Sequence, residues 1–419
     1  MVLRFLLPMF SLLSCAIFGQ SSILFRNARV FDGDTFHEGW NVLVKGDRIE
    51  YAGAKVPGED ADQSFDLSGY TLLPGLIEGH SHLFLHPYNE TPWNDQVLKE
   101  SFAERTVRAV NHARETLLAG FTTVRDLGTE GGDYLDVGLR ESIEKGLTPG
   151  PRMLVAGRAI VATGSYGPKG FAPHVEVPLG AETADGADLI RVVRDQIGHG
   201  VDLIKVYADY RWGPEGEARP TFSLDELKLI VETAASSGRP VVAHAGTVEG
   251  MHRAILAGVK TIEHGDEADE GIFDLMRKYD VALCPTLAAG DAILQYRGWQ
   301  KGIDPDPSRI VQKKKSFALA LEKGVKICAG GDVGVFSHGD NVRELEMMVE
   351  YGMKPTDVLR AATSVNASVF GLSQVGHISE GALADILVVS GNPEENISKL
   401  RSISMVMKSG VLYLNQLSH

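Results

Sequence analysis

LPGLIEGHSH, residues 73–82, is the stretch that decides the fold. It is a short apolar run that closes on two histidines separated by one residue, and side chains in a strand alternate between its two faces. His80 and His82 are therefore predicted to point the same way from the end of a buried strand. No glycine-rich dinucleotide fingerprint or phosphate loop follows this run, which weakens the alternative of an open doubly wound sheet.

Further apolar, β-rich runs alternate with amphipathic, helix-like stretches along the middle of the chain. The runs cover residues 71–78, 121–126, 152–157, 202–207, 240–245, 260–264, 281–287 and 325–330. The helix-like stretches include residues 101–118, 224–235, 248–257, 272–279, 310–322 and 341–351. Strands that each lead into a helix, in this number, predict an α/β fold, a closed (β/α)8 TIM-like barrel.

Both ends of the chain have a different pattern, in which short strands are joined by tight turns. Residues 23–31 end at Asp32-Gly33, and residues 41–45 end at Gly46-Asp47. Strand-like runs return at 384–389 and 404–413. Neither end can bury a core alone, so we predict one small β-domain built from residues 21–72 and 371–419, beside a barrel over 73–370.

The first twenty residues resemble a secretory signal. Arg4 precedes an apolar run over residues 5–18, and small or polar residues follow it. The predicted protein is therefore secreted or periplasmic, with a signal peptide over 1–20. A short N-terminal anchor is the alternative, and the lipobox-like Leu12-Leu13-Ser14-Cys15 leaves a lipid anchor at Cys15 open. No later segment is apolar enough to span a bilayer.

Composition narrows the choice of partners. Acidic residues outnumber basic ones by 55 to 41, which gives a formal net charge of −14. Such a surface repels phosphate backbones, and no basic run with interleaved aromatic residues is present, so we expect no nucleic-acid partner. Cys284 and Cys328, the two cysteines after the signal, lie in apolar strand-like runs and are predicted to be buried thiols.

Polar side chains recur at the predicted carboxyl ends of the strands, where barrel enzymes carry their active sites. Lys205 ends the fourth run, His244 the fifth and His264 the sixth, while Asp332 follows the eighth. Each has an ordinary structural explanation when taken singly, such as a paired lysine or a helix-capping aspartate. Together with the two histidines of the first run, they predict a metal-dependent active site at one rim of the barrel.

Several phrases give the chain a specific resemblance. Residues 74–82 resemble the first-strand motif of the amidohydrolase superfamily. TTVRDLG at 122–128, IEHG at 262–265 and HGDNVRELE at 338–346 resemble its imidazolonepropionase-related branch, which includes Xaa-Pro dipeptidases and ochratoxin-degrading amidases. The resemblance extends from about residue 23 to 413 and implies that the small β-domain is a β-sandwich.

The resemblance also implies a binuclear site for two divalent metal ions. The implied metal ligands are His80, His82, Lys205, His244, His264 and Asp332. Lys205 would be carbamylated to N6-carboxylysine, because an ammonium group beside two dications would be repelled. Nitrogen and oxygen ligands suit zinc, and manganese or cobalt would fit the same site.

The implied chemistry is hydrolysis of a C–N amide bond by a hydroxide that bridges the two metals. Asp332 would accept the proton and pass it to the leaving nitrogen. Tyr207, on the same strand face as Lys205, would stabilise the oxyanion, or it is simply a packed barrel tyrosine. His264 completes the set of expected catalytic residues.

The substrate is predicted only as a chemical class. The resemblance implies a small amide, such as an Xaa-Pro-like dipeptide or an N-acyl amino acid. The alternatives are a cyclic, imidazolone-type amide and a non-enzymatic, metal-containing barrel that binds a ligand. Relatives often form symmetric oligomers, which leaves a homo-oligomer open.

One departure from the family bears on substrate recognition. A Gly-Gly-His phrase found in many relatives after the third strand is replaced here by TGSYGPKG at 163–170, in a long, lid-like loop over 158–185. The candidate substrate-binding residues are Tyr166, Lys169, His174, Tyr207 and His338. Arg211 and the predicted 288–307 loop, with Tyr296, Arg297 and Trp299, are further candidates at the rim.

Overall fold

The computed structural model describes residues 21–55, 61–172 and 174–417. The predicted signal peptide and Cys15 lie outside the described residues. The strands are β1 Ser22–Phe31, β2 Phe36–Lys45, β3 Arg48–Gly53, β4 Gln63–Asp66, β5 Tyr70–Pro74, β6 Leu76–Ser81, β7 Phe121–Asp126, β8 Arg152–Val155, β9 Ile160–Val161, β10 Glu182–Thr183, β11 Ile204–Tyr207, β12 Asp209–Arg211, β13 Ala218–Pro220, β14 Val241–Ala245, β15 Thr261–His264, β16 Ala282–Cys284, β17 Ile386–Ser390, β18 Ile403–Lys408 and β19 Val411–Asn415.

The helices occupy the middle of the chain. They are α1 Trp93–Lys99, α2 Phe102–Leu118, α3 Leu135–Glu144, α4 Asp188–Gly198, α5 Leu224–Ala235, α6 Val248–Ala257, α7 Glu270–Tyr279, α8 Leu287–Tyr296, α9 Ser308–Lys323, α10 Val342–Glu350, α11 Pro355–Arg360 and α12 Asn366–Val369. A π-helical turn, Ala361–Val365, joins the last two, and a 3-10 helix covers Ile397–Arg401. None of the described helices combines the length and apolar character needed to cross a bilayer.

Strands from both ends of the chain form one sheet. Its order is β19-β18-β17-β5-β1-β2-β3, with β4 also paired to β1. The two ends meet where β17 pairs antiparallel with β5, from Ile386–Pro74 to Ser390–Tyr70. Apolar side chains from both ends share one cluster, including Phe25, Val42 and Met405. The terminal segments therefore fold together.

The middle of the chain forms parallel sheets alternating with helices. One has the order β6-β7-β8, and the other has the order β10-β9-β11-β14-β15-β16. Their strand pairings are parallel. Parallel bridges from Leu283 to Ile327 and from Ser81 to Val333 connect β16 and β6 to the same segment of chain. The predicted mixed α/β class is confirmed.

Three predicted elements differ in the structure. The run 71–78 is two strands, because β5 joins the terminal sheet and the parallel strand β6 begins at Leu76. Gly75 separates them, where a Cβ would lie 2.2 Å from Oγ1 of Thr122. The run 325–330 contributes a bridge at Ile327 and no regular strand. The predicted 288–307 loop was wrong in its first half, which lies in α8.

Most of the helices predicted from apolar periodicity begin and end close to the expected residues. The helix over 224–235 is α5, and Ser223 and Glu226 form a capping box at its start. The helix over 248–257 is α6, which Thr247 caps and left-handed Gly258 ends. The carboxyl ends of β6, β11, β14 and β15 open into one common cavity.

Candidate active site

Side chains from the carboxyl ends of the parallel strands converge on a cavity of about 420 Å³, here called the inner cavity. The predicted metal ligands that line it are His80, His82, Lys205, His244, His264 and Asp332. The structure therefore brings the six together from β6, β11, β14, β15 and the segment after Ile327.

His80, His82 and Asp332 form the tightest group in the inner cavity. Their potential ligand atoms all lie within 4.8 Å of one another. Nε2 of His82 is 3.3 Å from Oδ1 of Asp332, and Nε2 of His80 is 3.6 Å from the same oxygen. Two imidazole nitrogens and one carboxylate oxygen in this arrangement can hold a divalent metal ion.

Hydrogen bonds behind these histidines fix which nitrogen faces the cavity. Nδ1 of His80 donates to Oε2 of Glu263 at 2.8 Å, and Nδ1 of His82 donates to the carbonyl oxygen of Gly128 at 2.8 Å. Arg125 in turn donates to Oε1 of Glu263 at 2.8 Å. These partners fix both tautomers and leave the two Nε2 atoms as acceptors for a metal.

His244 and His264 form a second pair beside the first group. Their ring centroids are 4.5 Å apart, and the ring of His264 lies 5.4 Å from that of His80. Nδ1 of His264 bonds to Oγ1 of Thr286 at 2.7 Å. Nε2 of His244 is 3.7 Å from Oδ1 of Asp209.

Burial keeps the four histidines neutral. It lowers the pKa of His244 to about 3, with the positive charge of Lys205 as the second cause. It also lowers the pKa of His80, His82 and His264. Neutral imidazoles have the lone pairs that metal coordination requires, so the site is ready to bind cations at neutral pH.

Lys205 is buried and lines the inner cavity without a hydrogen bond or ion pair to any residue that the structure describes. Burial lowers the pKa of Lys205, although the charges of Glu263 and Asp332 oppose this effect. A buried lysine is normally paired. Nζ of Lys205 instead lies 5.8 Å from the ring centre of Tyr207.

Glu130 is a site residue that the sequence analysis missed. Its carboxylate accepts hydrogen bonds from Trp93 at 3.0 Å, Tyr166 at 2.5 Å and Tyr207 at 3.2 Å. Tyr207 also stacks on His244, with ring centroids 4.6 Å apart. Glu130 therefore joins the start of α1, the long loop and β11 beside the metal-binding groups. The only sequence signal was its place after the TTVRDLG phrase.

Two further buried carboxylates support the site from behind. Glu78 accepts the backbone N–H of Gly331 at 2.9 Å and the side-chain amide of Asn341 at 2.9 Å. Glu344 accepts the first N–H groups of α8, from Leu287 at 3.0 Å and Ala288 at 2.7 Å. Burial raises the pKa of Glu78 to about 7 and that of Glu344 to about 8.

Unusual backbone conformations concentrate at this site. Eight described residues other than glycine have a left-handed φ, and four of them line the inner cavity. They are Glu130, His264, Thr286 and Asp332, with φ between 49° and 78°. Such conformations cost about 1–3 kcal/mol each and persist at functional sites where the surroundings impose them.

The structure separates the predicted substrate-binding residues. Tyr166 and Tyr207 line the inner cavity. Lys169 is exposed and lines a second cavity, described below. His174 is exposed and lines neither cavity. His338 is buried behind the site, where it stacks on His112 and bonds to the carbonyl oxygen of Leu85 at 3.1 Å.

A second cavity of about 560 Å³, here called the outer cavity, adjoins the first. The residues that line both cavities are Tyr88, Tyr166, Tyr210, Arg211, Ile293 and Arg297. Trp93, Asn94 and Lys169 belong to the outer cavity alone. A molecule that extends from the metal-binding groups past Tyr166 would therefore enter the outer cavity.

Comparisons with known proteins agree with this geometry. Residues 71–413 match the model of the amidohydrolase family. The chain is 30% identical to ochratoxinase of Aspergillus niger over 377 residues, which cover 82% of this chain and 75% of that enzyme. It is 22% identical to imidazolonepropionase of Streptomyces avermitilis, over 82% of this chain and 79% of that enzyme.

A solved structure is similar over nearly the whole chain. The crystal structure of a Xaa-Pro dipeptidase with bound methionine in the active site superposes with a TM-score of 0.84 at 31% sequence identity. The match covers 94% of this chain and 100% of that one. Among the relatives found are therefore hydrolases that differ in substrate.

Proposed function

Because the chain belongs to the amidohydrolase family and is a hydrolase of C–N bonds, we propose that it hydrolyses an amide bond of a small substrate with two divalent metal ions. The observation that carries this proposal is the convergence of His80, His82 and Asp332, whose ligand atoms lie within 4.8 Å of one another. His244 and His264 would hold the second ion, with carbamylated Lys205 as the bridge.

The described residues fit such a pair of ions. The donor set contains neutral imidazoles and a carboxylate, which zinc accepts readily. Each Nδ1 of the first two histidines already has a partner, so each Nε2 is left for the metal. Lys205 makes no hydrogen bond or ion pair with the described residues that a carbamate would displace.

We also propose that the parallel strands close into a (β/α)8 barrel beside a β-sandwich built from the chain ends. The bridges Leu283–Ile327 and Ser81–Val333 support closure, since both involve the segment that follows β16 in the chain. The shared sheet of β1–β5 and β17–β19 supports the second unit. Barrel enzymes carry their catalytic residues where this site lies, at the carboxyl ends of the strands.

The chain's own residues suggest how the reaction would proceed. Bound metals would polarise the scissile carbonyl and lower the pKa of the attacking water. Asp332 would accept the proton of that water and pass it to the leaving nitrogen. Burial raises the pKa of Asp332, while His82 and Lys205 oppose this effect.

Tyr207 would stabilise the oxyanion of the substrate only after its hydroxyl has given up the hydrogen bond to Glu130. Its hydroxyl donates to Glu130 at 3.2 Å and must turn toward the substrate to act. Its stacking on His244 holds the ring at the edge of the reaction site. Asp332, His264 and Tyr207 thus remain the proposed catalytic residues.

For the substrate we propose a dipeptide of the Xaa-Pro type or an N-acyl amino acid. The similarity to a Xaa-Pro dipeptidase and to ochratoxinase supports a linear amide. A cyclic amide is the second candidate, and the similarity to imidazolonepropionase favours it. Secretion through residues 1–20 would argue for the linear substrate, because intracellular catabolic intermediates are not exported.

An amide panel tests the proposal. Protein without residues 1–20 is incubated with zinc and bicarbonate, then with Xaa-Pro dipeptides, other dipeptides, N-acyl amino acids and cyclic amides. His80→Asn serves as the blank, and His252→Asn, at an exposed histidine of α6, is the matched control. We expect turnover of one linear class that His80→Asn abolishes and His252→Asn retains. Turnover of cyclic amides alone would favour the second candidate, and turnover that survives in His80→Asn would contradict the metal site.

A further inference from the structure

The outer cavity has an unusual distribution of charge. Three cationic residues line it, Lys169, Arg211 and Arg297, and no aspartate or glutamate does so within the described part of the chain. The whole chain, in contrast, has a formal net charge of −14. A cavity that concentrates positive charge on an acidic protein attracts anions and repels cations.

Arg297 has a charge that no described residue neutralises. It follows the last residue of α8, is exposed, and its side chain makes no hydrogen bond or ion pair with the described residues. Arg309, which lines the inner cavity, differs because it lies 3.3 Å from Oδ2 of Asp266. Of these two arginines, Arg297 is the one whose guanidinium is available to an incoming carboxylate.

Arg211 and Lys169 place two more cations against an aromatic wall. The guanidinium carbon of Arg211 lies 5.7 Å from the ring centre of Tyr210, and Nζ of Lys169 lies 5.9 Å from it. Nζ of Lys169 also donates to the backbone carbonyl oxygen of Arg211 at 2.7 Å. The long loop and the β12–β13 hairpin thus form one side of the outer cavity.

One face of α8 connects this charge to the metal-binding groups. Thr286, whose hydroxyl bonds to His264, precedes the helix, and Ala289, Gly290, Ile293 and Arg297 follow along the cavity side. Their spacing of three or four residues is that of a single helix face. At a rise of 1.5 Å per residue, the backbone of Arg297 lies about 16 Å along the helix from that of Thr286.

We propose that the outer cavity binds a carboxylate on the arm of the amide substrate that extends away from the scissile bond. This inference rests on the proposed amidase function and favours one of its two linear candidates: an N-acyl amino acid whose carboxylate is separated from the scissile amide by a spacer, rather than an Xaa-Pro dipeptide, whose carboxylate is adjacent to it. Arg297 and Arg211 bind the carboxylate, and Tyr210 and Tyr166 line the passage between the two cavities.

The proposal requires a particular dependence on length. A carboxylate adjacent to the scissile amide would remain in the inner cavity, where Asp209, Asp266 and Glu267 are among the lining residues. Arg297 and Arg211 line both cavities, but only a carboxylate on a longer arm meets them in the outer cavity, where no described acid is among the lining residues. Affinity for the acid, relative to the neutral carboxamide of the same length, should therefore peak at an intermediate spacer.

Calorimetric binding to the zinc-loaded protein tests this dependence without requiring turnover. The probes are N-benzoylglycine, N-benzoyl-β-alanine, N-benzoyl-4-aminobutyrate and N-benzoyl-6-aminohexanoate, each with its carboxamide. The variants are Arg297→Gln and Arg211→Gln, and Arg114→Gln, at an exposed arginine of α2 outside both cavities, is the matched control. If the zinc-loaded protein hydrolyses a probe, the KM for that probe is measured in place of its binding constant.

We expect at least one longer acid to bind about tenfold more tightly than its carboxamide, as a charge-assisted hydrogen bond would produce. Arg297→Gln should bring that ratio close to one, Arg211→Gln should lower it, and Arg114→Gln should leave it unchanged. Equal binding of acid and carboxamide at every length would overturn the inference, as would a preference that both cavity variants retain. Hydrolysis in the amide panel is measured separately, so loss of the anionic preference leaves the amidase proposal standing.

Discussion

At the scale of single residues, Glu130 organises the reaction site through its hydrogen bonds, although it is not a proposed metal ligand. Three donors from separate parts of the chain, Trp93, Tyr166 and Tyr207, converge on its two oxygens. A glutamine at this position has one accepting oxygen and an N–H₂ group that would face another donor. Glu130 is therefore a positioning residue for Tyr207.

We expect Glu130→Gln to lower kcat by about tenfold to a hundredfold, less than the roughly 10²–10³-fold loss from removing an oxyanion-stabilising donor, because Tyr207 itself remains in place. KM should change much less, because Tyr207 acts on the developing charge. Steady-state kinetics on the substrate found by the amide panel measures both constants, and metal analysis checks that the ions are retained. Tyr166→Phe, which removes only one donor to Glu130, is the comparison. An equal loss of metal and activity in Glu130→Gln would point to a purely structural role.

Lys205 gives the sharpest test of the metal bridge. Lys205→Ala should reduce the metal content from about two divalent ions per chain and abolish turnover, because no carboxylate would then join the two ions. Added acetate or propionate should restore part of the activity by placing a free carboxylate in the gap. Lys326→Ala, at a lysine paired with Asp280 on the surface, is the control. Full metal content and activity in Lys205→Ala would remove the carbamate from the mechanism.

At the scale of elements, α8 links stability to the site, because its first N–H groups bond to buried Glu344. Burial raises the pKa of Glu344 from 4.5 to about 8, so the folded protein holds this proton over a range of pH where the unfolded chain has released it. Stability from this group is therefore greatest below about pH 4.5 and declines as the pH rises toward 8.

Glu344→Gln cannot titrate, so its melting temperature relative to the parent protein should rise steadily between pH 5 and pH 8. Scanning calorimetry at four pH values in this range measures the difference. Glu346→Gln is the matched control. Partial burial raises the pKa of Glu346, but hydrogen bonds from Arg401 and Ser398 outweigh this effect and lower it. Glu346 therefore does not titrate between pH 5 and pH 8. A difference for Glu344→Gln that does not vary with pH would show that Glu344 is ionised throughout.

Gly330 lies where the segment after Ile327 passes close to β6 and β16. A Cβ at this position would lie 2.6 Å from the backbone nitrogen of His80 and 2.7 Å from Sγ of Cys284. Gly330→Ala should therefore destabilise the protein by about 1–3 kcal/mol and reduce metal binding by displacing His80. Gly138→Ala, in α3 with open space around it, should instead be neutral or stabilising by up to about 1 kcal/mol. Thermal melting of both variants measures the contrast, and equal effects would contradict this account.

The sequence predicted the elements whose signal is local. Apolar periodicity located α5 and α6, and the His80-Ser81-His82 spacing placed two imidazoles on one side of the site. It could not predict α8, because alanine and glycine in 288–292 weaken the periodic signal. It could not reveal Glu130 either, since that role depends on donors about 36 to 77 positions away in the chain. The exposed position of His174, outside both cavities, could not be predicted either, because loop composition does not determine the direction of a loop.

At the scale of the whole molecule, the terminal sheet is fastened to the parallel strands by a cluster around Asp385. Its Oδ2 accepts from Arg152 of β8 at 2.6 Å, and its Oδ1 accepts the backbone N–H of Ser409 at 2.8 Å. Arg152 also donates to Oγ of Ser409 at 3.1 Å. Asp385 is buried, whereas Arg152 is partly exposed, so the carboxylate depends on these partners more than the guanidinium does.

Removing Asp385 should therefore loosen the attachment of the two sheets. We expect Asp385→Ala to lower the free energy of unfolding by about 1–3 kcal/mol, the cost of leaving buried donors unsatisfied. Arg152→Ala should cost less, because water can reach the site from that side. The double variant should lose less than the sum of the two single losses, since both remove the same contact. Chemical denaturation of the four proteins completes this cycle, and strict additivity would mean that Asp385 and Arg152 act independently in joining the chain ends to the catalytic strands.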